Sequence, residues 1–448
     1  MNLPIDFIAQ IHDLLGEDEA NRLINSLQEP SPVSIRINPS KVNNAQLSTL
    51  NAQLKRVPWC NNGYYLPERL TFTFDPLFHA GVYYVQEASS MFLEQAVKQV
   101  VTNPVLALDL CAAPGGKSTH LRSLLPDGSL LVANEVIRNR SQILAENITK
   151  WGHPDVMVTN NDPADFAQTN VYFDFILADV PCSGEGMFRK DEGAIGEWSA
   201  ANVEICRQRQ RRIIADIWSS LKPGGILVYS TCTFNTKENE ENVDWITREL
   251  GATTVNVQHE SGIELVNDLT DKKLNVYRFF PHKVKGEGFF MSVLQKHPDD
   301  SFSPVMRKSS SNKKNKKVQT EEIIRSSYYK PEQDVLEQKL RVLQSGISLG
   351  TVKGKDIIPS HALAMTNVEQ RNTYPQVEVT YEQAISYLRR ETIVLDPTYP
   401  KGTVLLTYKQ QILGFVKNLG NRANNLYPQE WRIRSGYLPE EVKALALS

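Results

Sequence analysis

Two thiols are set apart by their neighbours. Cys182 follows Pro181 in ADVPCSG (178–184), and Cys232 follows Thr231 in YSTCT (229–233). Each comes just after a short apolar run, 174–178 and 226–230. If those runs are neighbouring strands, both thiols reach the same sheet edge. A thiolate there can attack carbon 6 of a cytosine, which makes carbon 5 enamine-like and reactive toward a sulfonium methyl. This is covalent catalysis, one hard step split into easier ones. A free thiol titrates near 8.5, so a neighbouring cation raises the reactive fraction, and Lys117 is the candidate cation. Asp179 could hydrogen-bond N3 and the exocyclic amine, stabilising the saturated-ring intermediate. A base must then remove the carbon 5 proton, and the thiol must leave. One thiol suffices for attack. The other is either a packing residue, as most free cysteines are, or a participant in release, and the residues alone leave open which does which.

A ligand loop precedes the thiols in DLCAAPGGKS (109–118). Gly115 and Gly116 permit close backbone approach, and a helix is expected from about Ser118, its N-terminus favouring a carboxylate or phosphate. A P-loop needs glycine where Cys111 stands, and the dinucleotide spacing G-x-G-x-x-G is absent. What remains suits a smaller ligand with a carboxylate, such as the methionine part of S-adenosylmethionine. Glu135 lies about 20 residues beyond the loop, the spacing at which an acid takes ribose hydroxyls. Asp162, after a third strand, could bond the adenine amino group.

The elements that must position these residues alternate in kind. Runs 105–110, 129–134, 156–160, 174–178 and 226–230 read as buried strands, with helical patterns such as 138–151 and 202–221 between them. That alternation predicts an α/β, doubly wound parallel sheet with helices on both faces. In such sheets ligands bind beyond the carboxyl ends of the strands, where all the unusual residues fall.

The chain of 448 residues exceeds what one core usually serves. Residues 1–95 mix helical patterns (5–15, 19–27) with extended runs, and 96–295 form the alternating region. Residues 296–329 have linker composition. Residues 330–448 form a third region with a hairpin, 403–407 and 412–416 around 408–411. Within the linker, 307–317 (RKSSSNKKNKK) holds six basic residues and no acid, as a solvated segment or an RNA contact. Net charge is only −2, so any RNA surface is local: Arg207, Arg209, Arg211 and Arg212 on one helix, or Lys417, Arg422, Arg432 and Arg434. No stretch approaches the roughly 20 apolar residues of a membrane span, and the acidic, amphipathic start reads as a first helix rather than a signal peptide. Five cysteines without a C-x-x-C pair give no zinc motif and suggest reduced thiols in the cytoplasm.

The sequence resembles the RNA 5-methylcytosine methyltransferases of the NOL1/NOP2/Sun group, and within it the bacterial small-subunit (16S) ribosomal RNA methyltransferase F branch. The resemblance rests on ALDLCAAPGGKSTHL (107–121), ANEVIRNRSQILAENITKWG (133–152), DFILADVPCSGEGMFRKD (174–191) and YSTCTFNTKENEENV (229–243). GVYYVQEASSM (81–91), RFFPHKVKGEGFFMSVL (278–294), PSHALAM (359–365) and the segment 401–428 also fit, so it covers nearly the whole chain. It implies a Rossmann-like S-adenosylmethionine-dependent sheet between an N-terminal α+β RNA-binding region and a C-terminal PUA-like domain. By the same resemblance, Cys232 is the nucleophile and Cys182 assists release. Cys111, Ala112, Ala113, Pro114, Gly115, Gly116, Lys117, Glu135, Asp162 and Asp179 would contact the cofactor or the reacting centre. Ribosomal RNA is the expected substrate, with transfer RNA as the alternative. A DNA cytosine methyltransferase would attack through the Pro-Cys thiol and need no Thr-Cys pair. A non-catalytic assembly factor would not need Cys232.

Overall fold

The computed structural model describes residues 2–260, 262–299, 302, 323–324, 329–353 and 356–447. The basic run 307–317 lies outside the described residues. No helix among them is long and apolar enough to cross a membrane.

A nine-stranded sheet forms the middle of the molecule. Its five parallel strands lie in the order Leu221–Thr231, Phe173–Asp179, Leu106–Asp109, Leu130–Asn134 and Val156–Thr159. They are the five expected from the sequence. Leu106–Asp109 and Leu130–Asn134 are buried throughout, which is why they read as unbroken apolar runs rather than as alternation. The chain starts at Leu106–Asp109, builds outward to one side, then crosses to build the other. The switch point therefore falls between Leu106–Asp109 and Phe173–Asp179, where doubly wound sheets hold their ligands. Antiparallel strands close both sides: Phe289–Lys296 beside Leu221–Thr231, and Val342–Ser345 beside Val156–Thr159.

That last strand shifts a boundary expected from sequence. Residues from 330 do not open a separate region. The helix Lys330–Lys339 buries Leu336 in the core beneath the sheet, and Val342–Ser345 extends the sheet itself. Both segments are short and polar, so hydropathy alone groups them with the C-terminal region.

The N-terminal region divides in two. Phe7, Ile11 and Leu23 of the helices Ile5–Leu15 and Glu17–Ser26 pack with Phe188, Trp198, Phe234 and Phe280 of the catalytic region. A four-stranded sheet, which includes Val33–Ile37 and Gly63–Leu66, faces the other way. Its Ile35 and Ile37 share one core with Val377, Ile385, Leu388, Val404 and Leu406. Ile385 and Leu388 belong to the helix Tyr381–Leu388, and the other three to the C-terminal sheet, whose Gly402–Tyr408 and Gln411–Asn418 form the expected hairpin. Lys409 and Gln410 turn it with φ of 50° and 63°, as a two-residue hairpin turn requires.

Arg36 fastens the N-terminal sheet to the catalytic region. Its fully buried guanidinium donates to Gln86 Oε1 (2.8 Å), Thr119 Oγ1 (2.6 Å) and the Gly116 carbonyl (3.2 Å), and lies 4.3 Å from the Trp151 ring centroid.

Because the two flanking regions share a core, removing residues 374–448 strips the cover from Ile35, Ile37 and Leu77. The truncated chain is expected to melt more than about 10 °C below the full chain. Calorimetry showing an unchanged melting temperature would contradict the shared core.

Candidate active site

The strands Phe173–Asp179 and Leu221–Thr231 pair in parallel with Ala178 opposite Tyr229 and Asp179 opposite Ser230. Both therefore end at the same level, and the residues after them meet. Cys182 Sγ and Cys232 Sγ are 3.1 Å apart, and the Cys232 N–H points at Cys182 Sγ at 3.3 Å. The sulfurs sit in unlike electrostatic surroundings. The hydrogen bond to Cys232, burial and the neighbouring Glu238 carboxylate all push the Cys182 thiol well above its ordinary value. Cys232 lies within the field of the Lys117 ammonium. Cys182 is therefore a firm keeper of its proton.

Asp179 ends its strand with both carboxylate oxygens engaged. Lys117 Nζ donates to Oδ2 (2.8 Å), and Ser230 Oγ donates to Oδ1 (2.7 Å). Burial opposes the Lys117 charge, but Asp179 more than offsets it, so Lys117 titrates above the usual lysine value. Its ammonium also stands 5.2 Å from the Phe289 ring centroid. Lys117, Asp179, Cys182 and Cys232 thus come together from three separate stretches of sequence.

The ligand loop runs from Leu110 to the helix Gly116–Leu124, which begins two residues before the expected Ser118. Ser118 is inside the helix, its hydroxyl donating to Asp109 Oδ2 at 2.6 Å. Gly115 caps the helix with φ of 114°, a left-handed conformation natural to glycine. A Cβ on Gly116 would come 3.2 Å from the Tyr84 ring. Outward-facing carbonyls are tied down: Arg140 donates to Ala113 O and Asn147 to Pro114 O, both at 2.8 Å. The Ala112 N–H donates to Asn134 O at 2.8 Å. Burial and nearby carboxylates push the Cys111 thiol well up, so it is a neutral wall of the loop.

Glu135 follows the next strand and is buried, its Oε1 accepting from the Ile137 N–H at 2.8 Å and its Oε2 lying 3.5 Å from Arg140. Asp162 has a structural duty that its sequence position did not suggest. It caps the helix Pro163–Ala167, accepting from the Ala164 N–H, and it lies 3.5 Å from Arg212.

Sequence reasoning missed several residues. Asp109 is fully buried, burial pushes its carboxyl up to about 7 against the opposing Ser118 bond, and its Oδ1 has no partner among the described residues. Glu185, three residues past Cys182, takes five hydrogen bonds. Oε2 accepts from the Phe234 and Asn235 N–H groups, and Oε1 from Asn235 Nδ2, Trp198 Nε1 and Gln10 Nε2. Glu238 accepts from the Ser183 N–H, Asn235 Nδ2 and Gln210 Nε2, and Gln210 also holds the Pro181 carbonyl. These side chains lock the loop after Cys182 to the loop after Cys232. Their signal was two acid-bearing runs, GEGMF and TKENEEN, directly after the thiols; acids normally mark solvated loops, so it carried no weight.

The helix arginines are mostly committed within the protein. Arg207 pairs with Glu204, Arg211 donates to Asn242 and the Glu241 carbonyl, and Arg212 faces Asp162. One group of ligand-type residues gathers that sequence spacing had concealed: Cys60, Glu94 and His120, all buried. His120 Nε2 lies 3.2 Å from Glu94 and 3.7 Å from Cys60, while Lys98 pairs with Glu94. The cluster joins the Cys60 loop to two catalytic-region helices.

Comparison with known proteins agrees with this geometry. Residues 99–295 match the family described as 16S rRNA methyltransferase RsmB/F. Residues 3–88 match the N-terminal domain of 16S rRNA methyltransferase RsmF, and 374–433 the methyltransferase RsmF PUA domain. A ribosomal RNA small subunit methyltransferase F of Shewanella loihica is 30% identical, over 93% of this chain and 92% of that protein. Its counterpart in Erwinia tasmaniensis is 28% identical over 97% and 98%. A solved methyltransferase homolog from Pyrococcus horikoshii superposes with a TM-score of 0.56 at 30% identity, covering 65% of this chain and 94% of that one. The chain belongs to the RsmB/F family of RNA cytosine-5 methyltransferases.

Proposed function

We propose that the protein methylates carbon 5 of a cytosine in 16S ribosomal RNA through a covalent bond from Cys232 to carbon 6. The observation that carries this reading is the pair of sulfurs 3.1 Å apart beside the Lys117–Asp179 ion pair. S-adenosylmethionine is the methyl donor of this family, and its sulfonium supplies the methyl group. The loop fits such a ligand: the unpartnered Asp109 Oδ1 and the Gly115–Gly116 cradle suit its amino acid part. In this reading Cys111, Ala112, Ala113, Pro114, Gly115, Gly116 and Lys117 wall the methionine end, Glu135 takes the ribose, and Asp162 bounds the adenine.

The residues then act in order. Lys117 supports the Cys232 thiolate. The thiolate bonds to carbon 6, pushing the ring's electron pair to carbon 5, which takes the methyl. Asp179, held rigid by Lys117 and Ser230, hydrogen-bonds the N3 and amine side of the ring. A base takes the carbon 5 proton, that bond's electron pair restores the double bond, and the Cys232 thiolate leaves. Cys182 keeps its proton during attack and serves release. Full-length similarity to proteins named for small-subunit ribosomal RNA supports that substrate over transfer RNA. Five free cysteines and a thiolate nucleophile suit a reducing cytoplasm.

Glu135→Ala is expected to weaken S-adenosylmethionine binding by about 1–3 kcal/mol, the scale of hydrogen bonds to a charged group. Unchanged affinity by calorimetry would remove Glu135 from the cofactor site. The two thiols should fail differently. Cys232→Ala should give neither methylated RNA nor adduct. Cys182→Ala should stall after methyl transfer, leaving a protein–RNA species that survives denaturing electrophoresis and forms only with S-adenosylmethionine. The reverse pattern would exchange the roles. Normal turnover by Cys182→Ala would make Cys182 a packing residue, and bisulfite sequencing that finds the methyl group in transfer RNA instead would overturn the substrate.

A further inference from the structure

A polar cavity of about 170 Å³ lies where the N-terminal and C-terminal regions meet. Ser40, Lys41, Asn367, Arg371, Gln410 and Gln411 supply its polar lining. It is remote from the active site. Lys41 Nζ donates to the Lys150 carbonyl (2.7 Å), near the far end of the 14-residue helix Arg138–Trp151, whose start adjoins Glu135. At 1.5 Å per residue the separation is about 20 Å.

The charge balance of the cavity is unusual. Its described lining holds two cationic side chains and no carboxylate. Among the described residues, Lys41 donates only to the carbonyls of Ala80 and Lys150. Arg371 donates to the Thr366 carbonyl and the Asn367 amide oxygen, and its buried Nε has no partner among the described residues. Burial, then Arg371, push the Lys41 ammonium down to about 7. Carbonyls satisfy the hydrogen-bonding needs of a cation without cancelling its charge, and a helix C-terminus offers only about half a charge. Charges inside proteins are normally paired, and these two have no ion-pair partner among the described residues.

We propose that this cavity binds a phosphoryl group between Lys41 and Arg371. The planar guanidinium has the fork that matches oxyanions, with the ammonium as a point charge opposite. The cavity is bounded by Lys41 from the N-terminal region and by the turn residue Gln410 and the strand residue Gln411 of the C-terminal hairpin. An RNA backbone phosphate here would bridge both flanking regions. That source rests on the proposed ribosomal RNA substrate, whereas free inorganic phosphate does not.

Thermal shift with inorganic phosphate against chloride at constant ionic strength reads the pocket without any RNA. Phosphate should stabilise the wild-type protein in a saturable way, Arg371→Gln should lose the response, and Arg371→Lys should keep most of it. Gln410→Glu, which brings an internal carboxylate to the rim, should raise the melting temperature and remove the response, a reading that survives if Arg371→Gln folds poorly. With a 16S ribosomal RNA transcript, Arg371→Gln should lower affinity about tenfold and reduce the slope of log affinity against log salt by about one. A phosphate response with unaltered RNA binding assigns the pocket to a free phosphoryl anion. Weakened RNA binding without a phosphate response assigns it to the RNA backbone. No phosphate response in the wild type together with unaltered RNA affinity and slope in Arg371→Gln would overturn the proposal.

Discussion

Parallel pairing of Phe173–Asp179 with Leu221–Thr231 is the constraint on which the rest of the site depends. It sets Asp179 opposite Ser230, so the two strands deliver Cys182 and Cys232 to one point. Pairing alone leaves the loops beyond them free to part. Glu185 prevents that, because one buried carboxylate grips the backbone just after Cys232 with its own backbone just after Cys182. The Gly186 N–H adds a bond to the Cys232 carbonyl at 2.8 Å. A Cβ on Gly186 would stand 2.6 Å from the Gly288 carbonyl, so the approach needs glycine. An amide in place of the Glu185 carboxylate would turn two hydrogens toward those donors.

The same network explains why the N-terminal helices belong to the catalytic region. Gln10 donates to Glu185, and Phe7 packs edge-on against Phe188 and Trp198. Arg189 and Glu287 form a nearly buried ion pair, and Arg189 also holds the Ser26 carbonyl at the end of the second helix. Nearby, Arg278 and Glu240 are wholly buried and joined by two bonds of 2.6 and 2.7 Å. Removing one partner of such a pair typically costs about 3–5 kcal/mol, because the survivor is left uncompensated. These bonds act as rigid struts between the flanks and the reacting centre.

What the sequence made legible was whatever local pattern determines. The five parallel strands each carry a short apolar run, and the hairpin at Lys409–Gln410 is framed by two more, 403–407 and 412–416. Lys117, Asp179 and both thiols could be placed together because strand ends in a doubly wound sheet share an edge. Three things were out of reach for a physical reason. Glu185 and Glu238 look like solvated acids until the partners that desolvate them are known, and those partners are distant in the chain, 49 residues for Phe234 and 55 for Ser183. Asp162 looked like a ligand, yet its nearest bond is to the helix it caps. The strand Val342–Ser345 is too short and polar to announce itself, and its place depends on an open sheet edge at Val156–Thr159.

The central claim is that Cys232, not its close neighbour, bonds to the base. RNA carrying 5-fluorocytidine at the target position tests it directly. Methyl transfer can proceed, but carbon 5 then carries fluorine where the departing proton would be, so release is blocked. Digestion and mass spectrometry should find the RNA linked to the peptide bearing Cys232, only when S-adenosylmethionine is present. A link to Cys182, or release of methylated RNA with no link at all, would contradict the account.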